Sequence, residues 1–314
     1  MKKFNFMPFI MAILLTSMSI FITSCDKDDD ENTPSKTTQK SSPLIESKSF
    51  QNKLEGKYSK SVFEIKYIKF ENHTKEAESD RFTTRLSSED SETPIFSIIS
   101  DDTLKICTPT DSIILPEKCD YLFSKFEKVE EILNTKILNI SKVTSLEGMF
   151  STCKSLTKIE DIETWNVENV EYFSGMFYAC TKLQNINIEN WKVSNKAKKF
   201  DYMFSQCGVE KLNLEKWNTE SVETMENMFY ISKIKTFSGK GWNTLKCNNF
   251  TNIFDKTTIE ELDLTNWKIN DNEETQESAK SMISGSQSIH ITCSKEIQSI
   301  IKVYLAGATW TLVD

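Results

Sequence analysis

Histidines, cysteines and carboxylates are the side chains with which this chain could do chemistry, and they are unevenly supplied. Of 314 residues only two are histidine, His73 and His290. A nucleophilic triad or dyad needs a general base, most often an imidazole, so a Ser-His-Asp or Cys-His site would have to use one of these two. Neither has a Cys or an acid beside it in a recognisable motif. The G-x-S-x-G, H-E-x-x-H and P-loop patterns do not occur. Both histidines therefore read as ordinary surface residues. Glu64, Glu71, Asp101 and Asp102 are available carboxylates near the N-terminal end, but no two have a spacing that marks an acid–base pair. No catalytic residue, cofactor or metal is expected.

Cysteine is more patterned. Apart from Cys25 there are seven: Cys107, Cys119, Cys153, Cys180, Cys207, Cys247 and Cys293. Cys153, Cys180 and Cys207 stand 27 residues apart, and Ser232 and Thr257 take the same place further on. Exchange with small polar residues marks a small, mostly buried slot. Without a C-x-x-C pair, zinc is disfavoured. A disulfide between repeats stays open, although an odd count leaves at least one thiol over. A buried thiol acting as a small apolar filler is the preferred reading.

The elements that must position these residues form a repeat. A Phe recurs at Phe123, Phe150, Phe177, Phe204, Phe229 and Phe254, and a Trp at Trp165, Trp191, Trp217, Trp242 and Trp267, with Leu138 in the first Trp place. Two ladders with one period of 25 to 27 residues signal a stack of supersecondary units. Before each Phe the apolar residues fall seven, four and one places back, as in Val170, Phe173, Met176 and Phe177. That stripe predicts a short helix. After it, Leu183, Ile186, Ile188 and their equivalents Val209, Leu212, Leu214 and Ile259, Leu262, Leu264 alternate as in a short strand. The expectation is an α/β repeat solenoid: a leucine-rich-repeat-like stack of six coils, each a short helix plus a short strand, closed by N- and C-terminal caps. The phrase W-N-V-x-N-V … M-F-x-x-C-x-x-L over about 115–292 resembles the BspA-like leucine-rich-repeat surface proteins of bacteria. That resemblance implies a leucine-rich solenoid used for attachment or protein binding rather than catalysis.

In chain order, Lys2 and Lys3 precede an apolar run that ends in Ile22-Thr23-Ser24-Cys25. Small residues before a Cys resemble the lipobox of bacterial lipoproteins, which implies a signal peptide over 1–24, cleavage before Cys25 and lipidation of its sulfur. An ordinary secretory signal or a membrane helix is the alternative, and the run is short for a span. Residues 25–43 read as a flexible tether. Its acidic start, Asp26 to Glu31, lacks the glycine and distant Glu of an EF-hand loop. It resembles the export signal that sends Bacteroidota lipoproteins to the outer face of the outer membrane. Residues 44–114 read as a small β-rich region or cap, with strands expected over Val62–Phe70, Ile95–Ile99 and Thr103–Ile106. Repeats run over 115–282, and 283–314 form a C-terminal cap.

Loss of Lys2 and Lys3 with the signal leaves 36 basic against 46 acidic residues, a charge of −10. That disfavours nucleic acid and anionic lipid as partners. The leading expectation is a lipid-anchored surface module that binds a host or neighbouring-cell protein. On the strand face, residues between the inward Leu and Ile would point out: Asn185, Asn187, Glu189, Lys211, Asn213, Glu215, Glu261, Asp263 and Thr265 are the candidate ligand-binding positions. A glycan-binding or enzyme-accessory role for the N-terminal region is the alternative.

Overall fold

The computed structural model describes residues 41–73, 84–284 and 288–313. The signal segment, Cys25 and most of the tether lie outside the described residues. Among the described residues the strands form three sheets, and every strand pair is parallel except β3 with β4 and β4 with β5 in the N-terminal region. A three-stranded sheet joins β1 (Ser41–Pro43), β6 (Ser112–Ile114) and β8 (Leu138–Asn139). A six-stranded sheet has β3 (Thr84–Arg85), β4 (Phe96–Ser100), β5 (Thr103–Thr108), β2 (Tyr67–Asn72), β7 (Glu131–Leu133) and β9 (Lys158–Ile159) in that spatial order. A five-stranded parallel sheet runs β10 (Lys211–Asn213), β11 (Thr236–Ser238), β12 (Glu261–Asp263), β13 (His290–Ser294) and β14 (Thr309–Val313). The α-helices among the described residues are α1 (Ser47–Tyr58), α2 (Glu273–Lys280) and α3 (Lys295–Ile301). None of the described helices is long and apolar enough to cross a membrane.

This overturns the expected α/β leucine-rich-repeat solenoid of helix-plus-strand coils. No helix forms over 143–150, 170–177, 197–204, 222–229 or 247–254, where the apolar stripes fall. The unit around Phe177 shows why. Met176, Tyr178 and Cys180 donate their N–H groups three residues back, to the carbonyls of Phe173, Gly175 and Phe177. The N–H groups between them leave the unit altogether. Phe173, Gly175, Phe177 and Ala179 donate to Lys199, Asp201, Met203 and Ser205 of the next repeat, at 2.8–3.0 Å. Gly175 and Ala179 take φ of 62° and 56°, in the left-handed region. A right-handed helix cannot pass through such residues. The segment is therefore a chain of overlapping turns whose alternate amides bond to the neighbouring repeat, so these donors are satisfied without a helix. An apolar side chain every third residue fits a three-residue turn as well as it fits a helical stripe.

The strand half is also only partly regular. Residues 184–188 carry no assigned strand, while the equivalent residues of later repeats form β10, β11 and β12. The N-terminal region is woven into the first repeats, since β2 pairs in parallel with both β5 and β7. The expected strand at Val62–Phe70 is displaced: residues 59–64 form a 3-10 turn and β2 begins at Tyr67. The hairpin around Asp101 is present as β4 and β5. Helix α1 was not anticipated. Its Phe50 and Leu54, one turn apart, are buried, and Phe50 packs edge-on against Phe123 at 5.7 Å. At the other end α2 takes the place of the next turn segment, and its flanking residues Ser281 and Met282 accept the amides of Asn252 and Phe254 through their carbonyls.

The core is one continuous apolar cluster. The repeat phenylalanines stack in a column with centroids 5.4–5.8 Å apart. Each later Trp reaches back to the preceding repeat with its indole N–H, as Trp191 does to the Ile162 carbonyl and Trp242 to that of Leu214, both at 2.8 Å. Burial of a large ring and satisfaction of its one polar atom are thus achieved together.

Candidate functional site

The outer face of the five-stranded sheet is built from side chains that alternate with the buried Leu212, Phe237, Leu262 and Ile291. Parallel register aligns them into two rows. Lys211, Thr236, Glu261, His290 and Thr309 form one, and Asn213, Ser238, Asp263, Thr292 and Thr311 the other. Between Glu189 at one margin and His290 and Thr292 at the other lies a shallow depression of about 350 Å³.

Local chemistry holds these groups in place. The Asn213 and Asp263 side chains accept from the amides of Glu215 and Thr265, two residues on, at 3.1 and 2.9 Å. Such turns stop each strand after three residues and fix the side chain that follows it. Ser238 donates to Glu215 at 2.6 Å. Both imidazole nitrogens of His290 lie within 3.0 Å of hydroxyls, those of Thr309 and Thr311. Beside the rows, Lys235 sits 2.8 Å from Glu210 and, through that hydrogen bond, holds its carboxyl below the usual range. The depression itself carries Glu189, Glu261 and Asp263 against Lys211, so it is a rigid, polar, acidic surface with an imidazole at its margin.

Of the sequence-derived candidates, Glu189, Lys211, Asn213, Glu261 and Asp263 are brought together here. Asn185 and Asn187 are exposed but precede the sheet, on the segment without an assigned strand. Glu215 and Thr265 lie just past their strands. Sequence reasoning missed Thr236, Ser238, His290 and Thr292. In that repeat Phe237 stands in a Leu place and Gly239 in another, so the L-x-x-L-x-L phrase is broken. The 25-residue step from Lys211 to Thr236 to Glu261 would have found the strand.

The N-terminal carboxylates do not converge. Glu71 is paired with Lys69 at 2.7 Å and Asp102 with Lys66 at 3.4 Å. Glu71 lies near the far end of β2, whereas Asp102, in the turn before β5, is level with Lys66 just before β2 begins; five residues at about 3.3 Å each separate them by roughly 16 Å. His73 is exposed, 4.0 Å from Glu71. The seven described cysteines are all buried and free, with no disulfide among them. Burial pushes the Cys153 and Cys207 thiols up to about 12. Among the described residues no cluster of three or more His, Cys, Asp or Glu could hold a metal ion.

Two kinds of comparison, with curated proteins and with solved structures, find no match. A family model described as "Mycoplasma protein of unknown function, DUF285" matches residues 117–239 and 210–295. The two matches overlap, and together they run through the turn ladder and the first four strands of the candidate face, more than half of the 314 residues. The chain belongs to the DUF285 family.

Proposed function

We propose that this protein is a binding module, related to BspA-like bacterial surface lipoproteins, which takes a protein ligand on the outer face of its five-stranded sheet. The observation that carries the reading is the register of that face. Parallel pairing sets Lys211, Thr236, Glu261 and His290 side by side, and Asn213, Ser238, Asp263 and Thr292 beside them. A surface fixed by backbone pairing loses little side-chain freedom on binding, which favours affinity. Its acidic character fits a basic or polar patch on a host or neighbouring-cell surface or matrix protein, and it favours fast encounter with such a patch. The lipobox-like Ile22-Thr23-Ser24-Cys25 and the acidic residues after it support a lipid anchor on Cys25 and exposure at the outer membrane.

The test is adhesion of cells carrying the full chain to a panel of immobilised matrix proteins. Glu189→Ala, Lys211→Ala and Glu261→Ala, three exposed residues of the depression, are then combined. Surface changes of this kind cost about 0.5 kcal/mol or less each in stability. Adhesion to the bound protein should fall more than tenfold, which needs only about 1.4 kcal/mol of lost affinity. Unchanged adhesion by a folded triple variant would place the ligand elsewhere.

A further inference from the structure

The free edge of β14 is unlike the other sheet edges. Among the described residues those edges are β1, β8, β3, β9 and β10, each two or three residues long. All but β8 also carry a proline or a charged residue: Pro43, Arg85, Lys158 and Lys211. Short length, proline and charge keep sheet edges from pairing with other chains. The β14 edge has none of these. It runs for five residues, Thr309-Trp310-Thr311-Leu312-Val313, and all but Leu312 are β-branched or aromatic types that favour strands. No charged residue occurs from Val303 to Val313, in a chain of which 27% is charged.

The peptide groups of β14 divide between its two sides. The Thr309 amide donates to the Ile289 carbonyl, just before β13, at 2.8 Å. Along a strand, alternate residues bond to the same neighbour. Thr311 and Val313 therefore face β13 as well, while the N–H and C=O groups of Trp310 and Leu312 point out along the free edge. Register with the buried Ile291 and Cys293 puts the Trp310 and Leu312 side chains on the inner face of the sheet. The core thins there: Leu312 is 41% exposed and Trp310 half-buried.

We propose that β14 pairs with β14 of a second copy of this chain, antiparallel, about a two-fold axis at Thr311. A two-fold interface must be self-complementary, and this strand is. With Thr311 opposite Thr311 of the second copy, each Trp310 lies opposite a Leu312. These are the residues whose peptide groups point outward, so each Trp310 exchanges both backbone bonds with the Leu312 it faces. On the inner face an aromatic ring meets an aliphatic side chain, and on the outer face Thr meets Thr, both favourable cross-strand pairs. Charge points to the same partner. Copies of an acidic chain repel one another, and the one long edge is also a stretch that brings no like charges together. The axis stands normal to the sheet, so the outer faces of the two copies look to the same side.

Cells carrying the full chain are treated with diamide, which takes two electrons and two protons from a pair of thiols and so joins them as a disulfide. Thr311→Cys, Thr309→Cys and the double variant Thr311→Cys/Leu312→Asp are compared on non-reducing gels, each against the unsubstituted chain. In the proposed pairing the two 311 positions oppose each other without mutual hydrogen bonds, with Cα atoms about 4.5 Å apart, within disulfide reach. Thr309 lies opposite Val313 of the second copy, so the two 309 positions are four residues out of step, roughly 13 Å apart, and out of reach. Leu312→Asp leaves a carboxylate in solvent on the single chain but buries it unpaired between two copies. Thr311→Cys should give a reducible dimer as its main species, and the other two variants at least tenfold less. No dimer from Thr311→Cys, an equal yield from Thr309→Cys, or a yield undiminished by Leu312→Asp would each overturn the proposal.

Discussion

Ile231 is a β-branched residue at φ of 59°, with 44% of its surface exposed. Left-handed backbone costs an L-residue about 1–2 kcal/mol, and a branched Cβ is poorly suited to it. Other repeats place Lys125, Thr152, Ala179, Gln206 and Lys256 at this position, so the conformation is imposed by the ladder and not by the residue. Ile231→Asn should raise stability by about 1 kcal/mol, read as a higher denaturation midpoint; a lower one would refute the left-handed geometry. The thiols make a second residue-scale prediction. Burial raises Cys119, Cys153, Cys207 and Cys247 from 9.0 to about 12. A thiol raised in this way keeps its proton in the folded state while the unfolded chain loses its own, so stability is intact below pH 9 and falls as pH rises from 9 towards 12. At pH 8 a thiol-reactive dye should label these cysteines only after denaturant is added. Rapid labelling of the native protein would contradict their burial. The Cys periodicity made the slot legible, because only a small residue fits in a repeating position. The free state of every described thiol was not legible, since pairing depends on which sulfurs face each other.

At the scale of elements, the Phe column is the part on which both halves of the repeat converge. Phe177 is fully buried and stacks on Phe150 at 5.7 Å and Phe204 at 5.5 Å. Phe177→Ala should cost about 3–5 kcal/mol. Its backbone amide also bonds to the next repeat, so amide exchange should accelerate in the neighbouring units as well as its own. A midpoint unchanged in denaturant would show that the column does not carry the core. Here the sequence pattern misled in an instructive way. Apolar residues at three-residue intervals satisfy both a short helix and a run of three-residue turns, and no single repeat contains the hydrogen-bond partners that decide between them. The helices α2, with an Asn272 cap that accepts from Thr275 and with Glu273 and Glu274 in its first turn, and α3, with a Ser294 cap that accepts from Ile297 and with Glu296 in its first turn, carry helix signals beyond spacing.

At the scale of the molecule, the sheet face belongs to a body with one continuous apolar core, and the proposed lipid on Cys25 would hold that face at a membrane. Cys25→Ser should abolish incorporation of labelled fatty acid and release the protein from the membrane fraction. Retained label in the variant would remove the anchor from the account. The charge of −10 left after removal of the signal bears on partners through the whole surface, and the depression near Glu261 and Asp263 concentrates it.

By itself the sequence determined the repeat, its phase and which side chains are buried. Phe, Trp, Cys and Leu recur at fixed steps, and burial follows from hydrophobicity, which each residue carries with it. It also determined that Asn213, Glu261 and Asp263 point outward, because alternation along a strand is local. Only the tertiary structure decided the backbone state of the turn segments. Their alternate amides are satisfied 24 to 29 residues away, and that distant partner, rather than local propensity, holds Gly175, Ala179 and Ile231 in the left-handed region. It alone decided that His290 and Thr292 complete the face, because β13 follows β12 outside the 25-residue step and only the parallel register joins them.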